Sequence, residues 1–309
     1  MYECQLSGIV APLATPLTAK GELDDAGLER LVVHVVGGGV SGIFLLGTTG
    51  EGPHLQPLTR EQTIRRVCRL CTGRVPTLVG LCDSSTSACL RLADRAAEEG
   101  ASALVLTPPF YVPLSQEELV AYLDRLVPKL PLPVFLYNIP FLTKIWIRPE
   151  TVVRITSHLP VAGLKDSSGD MTYFAEVRRE LPRESGFQLF CGPEEKLVEA
   201  VQLGADGGVC GGSNLFPRLY VEMFRLACTG AYLEAERLQS QVLALSAAVY
   251  SQTSEGSSYL RGLKSGLEVL GLCEGWLAEP LAPFDPPLRE NIRTFLRTFD
   301  WRGNGRPAE

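Results

Sequence analysis

Nowhere in this 309-residue chain does an apolar run reach the roughly 18 residues that span a bilayer. The N-terminus, MYECQLSGIV, lacks a cationic segment followed by a long apolar stretch, which argues against a secretory leader. No basic block is present and the formal net charge is -6, so nucleic acid and anionic membrane are poor partners. A local cationic pocket for a small acid is still compatible with that charge. Histidine is scarce, with three in the chain, and there is no HExxH, P-loop or GxSxG elbow. The nine cysteines are scattered and odd in number, which fits reduced thiols in a cytoplasm better than a disulfide framework. Cys68 and Cys71 form a lone CxxC inside a helical segment with no second pair, so no metal site is expected. Gly37 to Gly42 spells GxGxxG, but it follows a helix and precedes a strand, the wrong context for a dinucleotide loop.

What the chain does have is alternation. Apolar content is 45% and charged content 21%, enough for a sizeable core without staples. Eight strand-like runs appear before about residue 230: GIVAPLAT, GIFLLG, PTLVG, ALVLTP, PVFLYNI, VAGLKD, QLFCG and GGVCGG. Between them lie segments with helical spacing, such as LTREQTIRRVCRL, STSACLRLADRAAEEG and SQEELVAYLDRLVPKL, several opened by Ser, Thr or Asp. Continuous apolar strands imply a parallel sheet covered by helices. Thr107, Tyr137, Lys165 and Gly192 recur at roughly 27–30 residues, about one βα unit. A doubly wound open sheet is the rival; eight units favour closure, so the expected fold is a (β/α)8 TIM barrel over residues 1–230. Residues 231–309 read as a C-terminal helical extension, with SQTSEGSS as a polar joint and DWRGNGRPAE as a frayed tail.

Lys165 stands at the end of the sixth apolar run, where a barrel aims side chains into its mouth. A half-desolvated lysine can lose its proton and attack a carbonyl, whereas a rim lysine paired with Asp166 would be inert. Tyr137 ends the preceding run, and neighbouring strands lie about 4.8 Å apart, so the two should be adjacent. A tyrosine there can pass protons, or simply cap the core. GTTGE (Gly47 to Glu51) follows the second strand, and its amides with the Thr48 and Thr49 hydroxyls can hold a carboxylate or merely cap a turn. Tyr111, in TPPFYVP, reads on its own as a cover for an apolar rim or an interface. Glu194 and Glu195, in GPEEK, suit a positive helix end whether or not they touch a substrate.

With GTTGE, TPPFY, YNIP, GLKDSSGD and GADGGV in this order, the chain resembles the pyruvate-dependent class I aldolases, the dihydrodipicolinate synthase and N-acetylneuraminate lyase family. The resemblance covers nearly the whole chain. It implies a barrel with a helical C-terminal region, a homotetramer, and catalysis without metal or organic cofactor. By the same resemblance Lys165 forms the Schiff base with a 2-keto acid, Tyr137 is the proton relay, and Thr48 and Thr49 bind the carboxylate and complete the relay. Tyr111 resembles the tyrosine that reaches into a neighbouring subunit's site, and Val209 lies where the family places a carbonyl near the lysine. Ser167, in KDSSGD, joins the substrate-binding set.

The second substrate is marked differently. Leu142 stands where dihydrodipicolinate synthases carry the arginine that grips an aldehyde's carboxylate, and a leucine cannot make that clamp. YNIPFL resembles the lyase branch, and Glu194-Glu195 matches its acidic pair for sugar hydroxyls. Gly211 replaces the serine of sialic acid lyases, which speaks against sialic acid itself. GTTGEGPHL and KDSSGD also resemble 2-keto-3-deoxy sugar-acid aldolases and related dehydratases, and the activity this resemblance implies is reversible cleavage of a 2-keto-3-deoxy sugar acid to pyruvate and an aldehyde, a role in carbohydrate-acid metabolism. The alternatives are condensation of pyruvate with aspartate semialdehyde, a sugar-acid dehydration, and a non-catalytic keto-acid sensor on an inherited barrel.

Overall fold

The eight apolar runs form eight parallel strands, each hydrogen-bonded to the next until the last closes on the first. They are β1 (Gly8–Pro12), β2 (Gly42–Leu45), β3 (Thr77–Leu81), β4 (Ala103–Leu106), β5 (Val134–Asn138), β6 (Val161–Asp166), β7 (Gln188–Cys191) and β8 (Gly207–Val209). Closure rules out the open sheet and makes this a (β/α)8 barrel. The structure is a computed structural model that describes residues 5–302, so the expected frayed tail lies outside the described residues from Gly303 onward.

The helices start where local chemistry satisfies their free amides. Asp24, Ser85 and Asp170 each accept from an amide of the first turn. Ser115 and Glu118 form a reciprocal capping box ahead of the helix Gln116–Leu126. These helices bury their apolar faces on the outside of the strands and make the larger core.

A second, smaller core fills the barrel. Alternate strand residues point inward, and Val10, Phe44, Val105, Phe135, Phe190 and Val209 meet there. Gly163 faces the same way as Lys165, two residues before it. A Cβ at Gly163 would lie 2.3 Å from the Gln188 carbonyl oxygen and 2.7 Å from the Phe135 ring. Its absence leaves room for Phe135 to stack edge-to-face on Phe190, with ring centres 6.0 Å apart. This aromatic plug sits on the same inner face as Lys165.

After the helix Pro217–Cys228 the chain is helical: Tyr232–Leu245, a π-helical turn at Ser246–Tyr250, then Ser258–Val269 and Pro286–Thr298. The polar joint SQTSEGSS falls between the π turn and Ser258, and π turns recur at functional sites. No described helix is long and apolar enough to cross a membrane. The cysteines among the described residues are all unpaired.

Candidate active site

Tyr137 and Lys165 are direct partners across β5 and β6. Strand alternation points both into the barrel mouth, and the Lys165 ammonium lies 4.0 Å from the centre of the Tyr137 ring and 4.9 Å from that of Phe44. The lysine is 7% exposed. It does not pair with Asp166, because the next residue on a strand faces the other way. Asp166 instead accepts from the Asn138 side-chain amide at 2.8 Å and from the amide and hydroxyl of Ser168. Burial pushes the Asp166 carboxyl up to about 6 despite those bonds. The pairing of Lys165 with Asp166 is thereby excluded.

The GTTGE turn closes over the same mouth. Leu46 and Glu51 bracket it in left-handed conformations, at φ 58° and 56°. The Thr48 hydroxyl lies 3.4 Å from the Tyr137 hydroxyl, while Thr49 is buried with its hydroxyl 3.0 Å from that of Tyr259. Tyr259 comes from the helix Ser258–Val269, and sequence reasoning did not place it here. Helical periodicity tells which positions share a face, not that the face meets a barrel mouth contributed by residues some two hundred positions earlier.

Glu194 and Glu195 behave differently from one another. Glu194 is buried, and its two oxygens accept from the Gly212 amide at 2.8 Å and the Tyr220 hydroxyl at 2.6 Å. Burial, followed by the charge of Glu195, pushes it up to about 7. Glu195 is half-buried and accepts from the Ser246 hydroxyl at 2.6 Å.

These groups surround a cavity of about 800 Å³. Thr48, Thr49, Tyr137, Lys165, Glu194 and Glu195 line it, as do Ser167, Val209, Gly211 and Leu142, the last 49% exposed at the rim. Among the described residues that line it, Lys165 is the only lysine or arginine. Tyr111 is not part of the wall in its own chain: it is 95% exposed, with φ at 85°. Among the described residues no group of three or more His, Cys, Asp or Glu side chains is placed to hold a metal.

An amine held at a strand end of a closed barrel, above an apolar floor and beside a phenol, is the kind of arrangement with which a barrel enzyme can attack a carbonyl. The particular family follows from comparison. Residues 5–298 match the Dihydrodipicolinate synthetase family, and the chain belongs to it, an enzyme of that pyruvate-dependent lyase class. A solved dihydrodipicolinate synthase from Bacteroides thetaiotaomicron is 43% identical, with a TM-score of 0.92 over 96% of this chain and 99% of that one. A 4-hydroxy-tetrahydrodipicolinate synthase of Thermus thermophilus is 34% identical over 295 residues, 94% of this chain and 96% of the relative. A prophage protein of E. coli K12 belonging to the dihydrodipicolinic acid synthase family, solved in complex with pyruvate, is 25% identical, with a TM-score of 0.89 over 95% of this chain and 98% of that one. Two of these three carry the synthase name, and none carries a lyase name.

Proposed function

We propose that Lys165 condenses with the keto carbon of a 2-keto acid and that the enzyme makes or breaks the bond between C3 and C4 of the adduct. The nitrogen lone pair attacks the carbonyl, the carbinolamine oxygen takes one proton from the nitrogen and one from solvent and leaves as water, and a protonated Schiff base remains on Nζ. That cation sits over the Tyr137 and Phe44 rings, whose faces favour positive charge. In cleavage the C4 hydroxyl proton passes to the Tyr137 oxygen, the C3–C4 electron pair moves into the iminium to give an enamine, and an aldehyde departs. Condensation is the reverse. Thr48 is within reach of the Tyr137 hydroxyl to carry the proton onward. The observation that carries this reading is the Lys165 amine, nearly buried yet opening into the cavity beside Tyr137.

For the aldehyde we propose a neutral polyhydroxy chain, so that the cleaved substrate is a 2-keto-3-deoxy sugar acid. The support is the wall: hydroxyl and carboxylate groups, Glu195 and Ser246 among them, with Lys165 its only lysine or arginine among the described residues. An aldehyde bearing its own carboxylate would find no guanidinium, since Leu142 holds that position on the rim. The second reading, condensation of pyruvate with aspartate semialdehyde, is favoured by the names its relatives bear. We further propose self-association, supported by the exposed, backbone-strained Tyr111, which a second copy would cover.

Borohydride reduction in the presence of pyruvate, followed by peptide mass spectrometry, tests the first step. The expected result is a stable adduct on Lys165, absent in Lys165→Arg. No adduct on folded protein in excess pyruvate would remove the Schiff-base reading and favour the sensor. Ratios of kcat/KM for keto-deoxy sugar acids against aspartate semialdehyde then separate the two acceptors.

A further inference from the structure

Gly211 and Tyr259 fit one another like a lock of two parts. A Cβ at Gly211 would lie 1.8 Å from the Tyr259 hydroxyl oxygen and 2.9 Å from the ring carbon that bears it. The space that any larger residue at 211 would fill is thus taken by a phenol carried in from the C-terminal helix. Edge-to-face contact with Tyr250, ring centres 5.0 Å apart, fixes the ring from behind. The hydroxyl it delivers makes a 3.0 Å hydrogen bond to Thr49.

We infer that Tyr259 is a positioning residue for the keto acid's carboxylate, acting through Thr49. The inference rests on the proposed keto-acid chemistry, with the Thr49 hydroxyl of the GTTGE turn as a donor to that acid's carboxylate. A threonine hydroxyl carries one hydrogen, and a carboxylate only accepts. If Thr49 gives that hydrogen to the carboxylate, its oxygen must accept from Tyr259. The phenol therefore sets the direction of the Thr49 hydroxyl before substrate arrives. Burial, with the charge of Glu194 next, raises the Tyr259 hydroxyl well above its ordinary value, so it remains protonated and able to donate. Gly211 is the complementary requirement, because a side chain there would displace the phenol from this position.

The test compares half-saturating concentrations for borohydride trapping with pyruvate and with acetone, a ketone without a carboxylate. Tyr259→Phe, which keeps the ring, is expected to raise the value for pyruvate about five- to tenfold, the loss of one neutral hydrogen bond, and to leave acetone unchanged. In a Thr49→Val background Tyr259→Phe should add nothing for pyruvate, because the group it acts through is gone. An unchanged pyruvate value, an equal rise for both ketones, or an undiminished effect in the Thr49→Val background would overturn the inference. If the parent enzyme traps neither ketone, the Schiff-base reading falls and the inference falls with it. Trapping by the parent with no selective loss in Tyr259→Phe removes the inference alone.

Discussion

The Glu51 carboxylate and the Lys264 ammonium meet at 2.9 Å with both side chains almost wholly buried. Lys264 also donates to the carbonyls of Thr15 and Trp276, each at 2.7 Å, and the second Glu51 oxygen accepts from the Ala278 amide at 2.8 Å. One cluster therefore joins the segment after β1, the turn that carries Thr48 and Thr49, and the C-terminal region. The turn that carries the two threonines is thus held by groups from outside the barrel strands.

Removing one partner from such a pair leaves an uncompensated buried charge. Lys264→Met should destabilise the protein by about 3–5 kcal/mol in urea denaturation, and the double variant Glu51→Gln/Lys264→Met should recover part of the loss. A single variant as stable as the parent would show that the pair holds nothing.

Tyr137→Phe keeps the ring beneath the Lys165 nitrogen and removes only the oxygen proposed as the relay. The pyruvate adduct should still form on Lys165, while turnover should fall by about two to four orders of magnitude. Trapping and steady-state rates measured on the same preparation check this; near-parental turnover would dismiss Tyr137 as the relay.

Leu142→Arg would place a guanidinium at the cavity rim. It should raise kcat/KM for aspartate semialdehyde relative to a keto-deoxy sugar acid, since a bidentate clamp becomes possible. A parent enzyme already faster with aspartate semialdehyde would instead place the chain with the synthases its relatives are named for.

Glu194 makes stability depend on pH in a defined window. Its folded-state value is raised from 4.5 to about 7, chiefly by burial, so the native state binds more protons between those limits. Its contribution is fully present below about pH 4.5 and is lost as pH rises through about 7. Thermal melting from pH 5 to 8 should therefore show a larger fall for the parent than for Glu194→Gln. Asp166, shifted in the same direction, is present in both proteins and cancels in the difference. Parallel curves would contradict the assignment.

Much of this was legible from the linear chain, and for specific reasons. The eight runs were recognisable because strands buried on both faces need continuous apolar residues, and Ser85 and Ser115 announced helix starts through local amide chemistry. The adjacency of Tyr137 and Lys165 followed from placing two strand ends one βα unit apart in a parallel sheet, and the strands pair in that register. Both signals are short-range or periodic.

The rest depended on contacts between distant segments. No periodicity tells that Lys264 reaches Glu51, that Tyr259 occupies the space Gly211 leaves, or that Glu194 turns its oxygens to Gly212 and Tyr220 while Glu195 keeps to the cavity. The sequence by itself determined the barrel and the placing of lysine beside tyrosine, because strand alternation and the βα repeat are local properties. Tertiary structure alone decided how the C-terminal helices complete the mouth, because which groups meet there depends on the angle at which one amphipathic face docks, and that angle is a property of the packed whole.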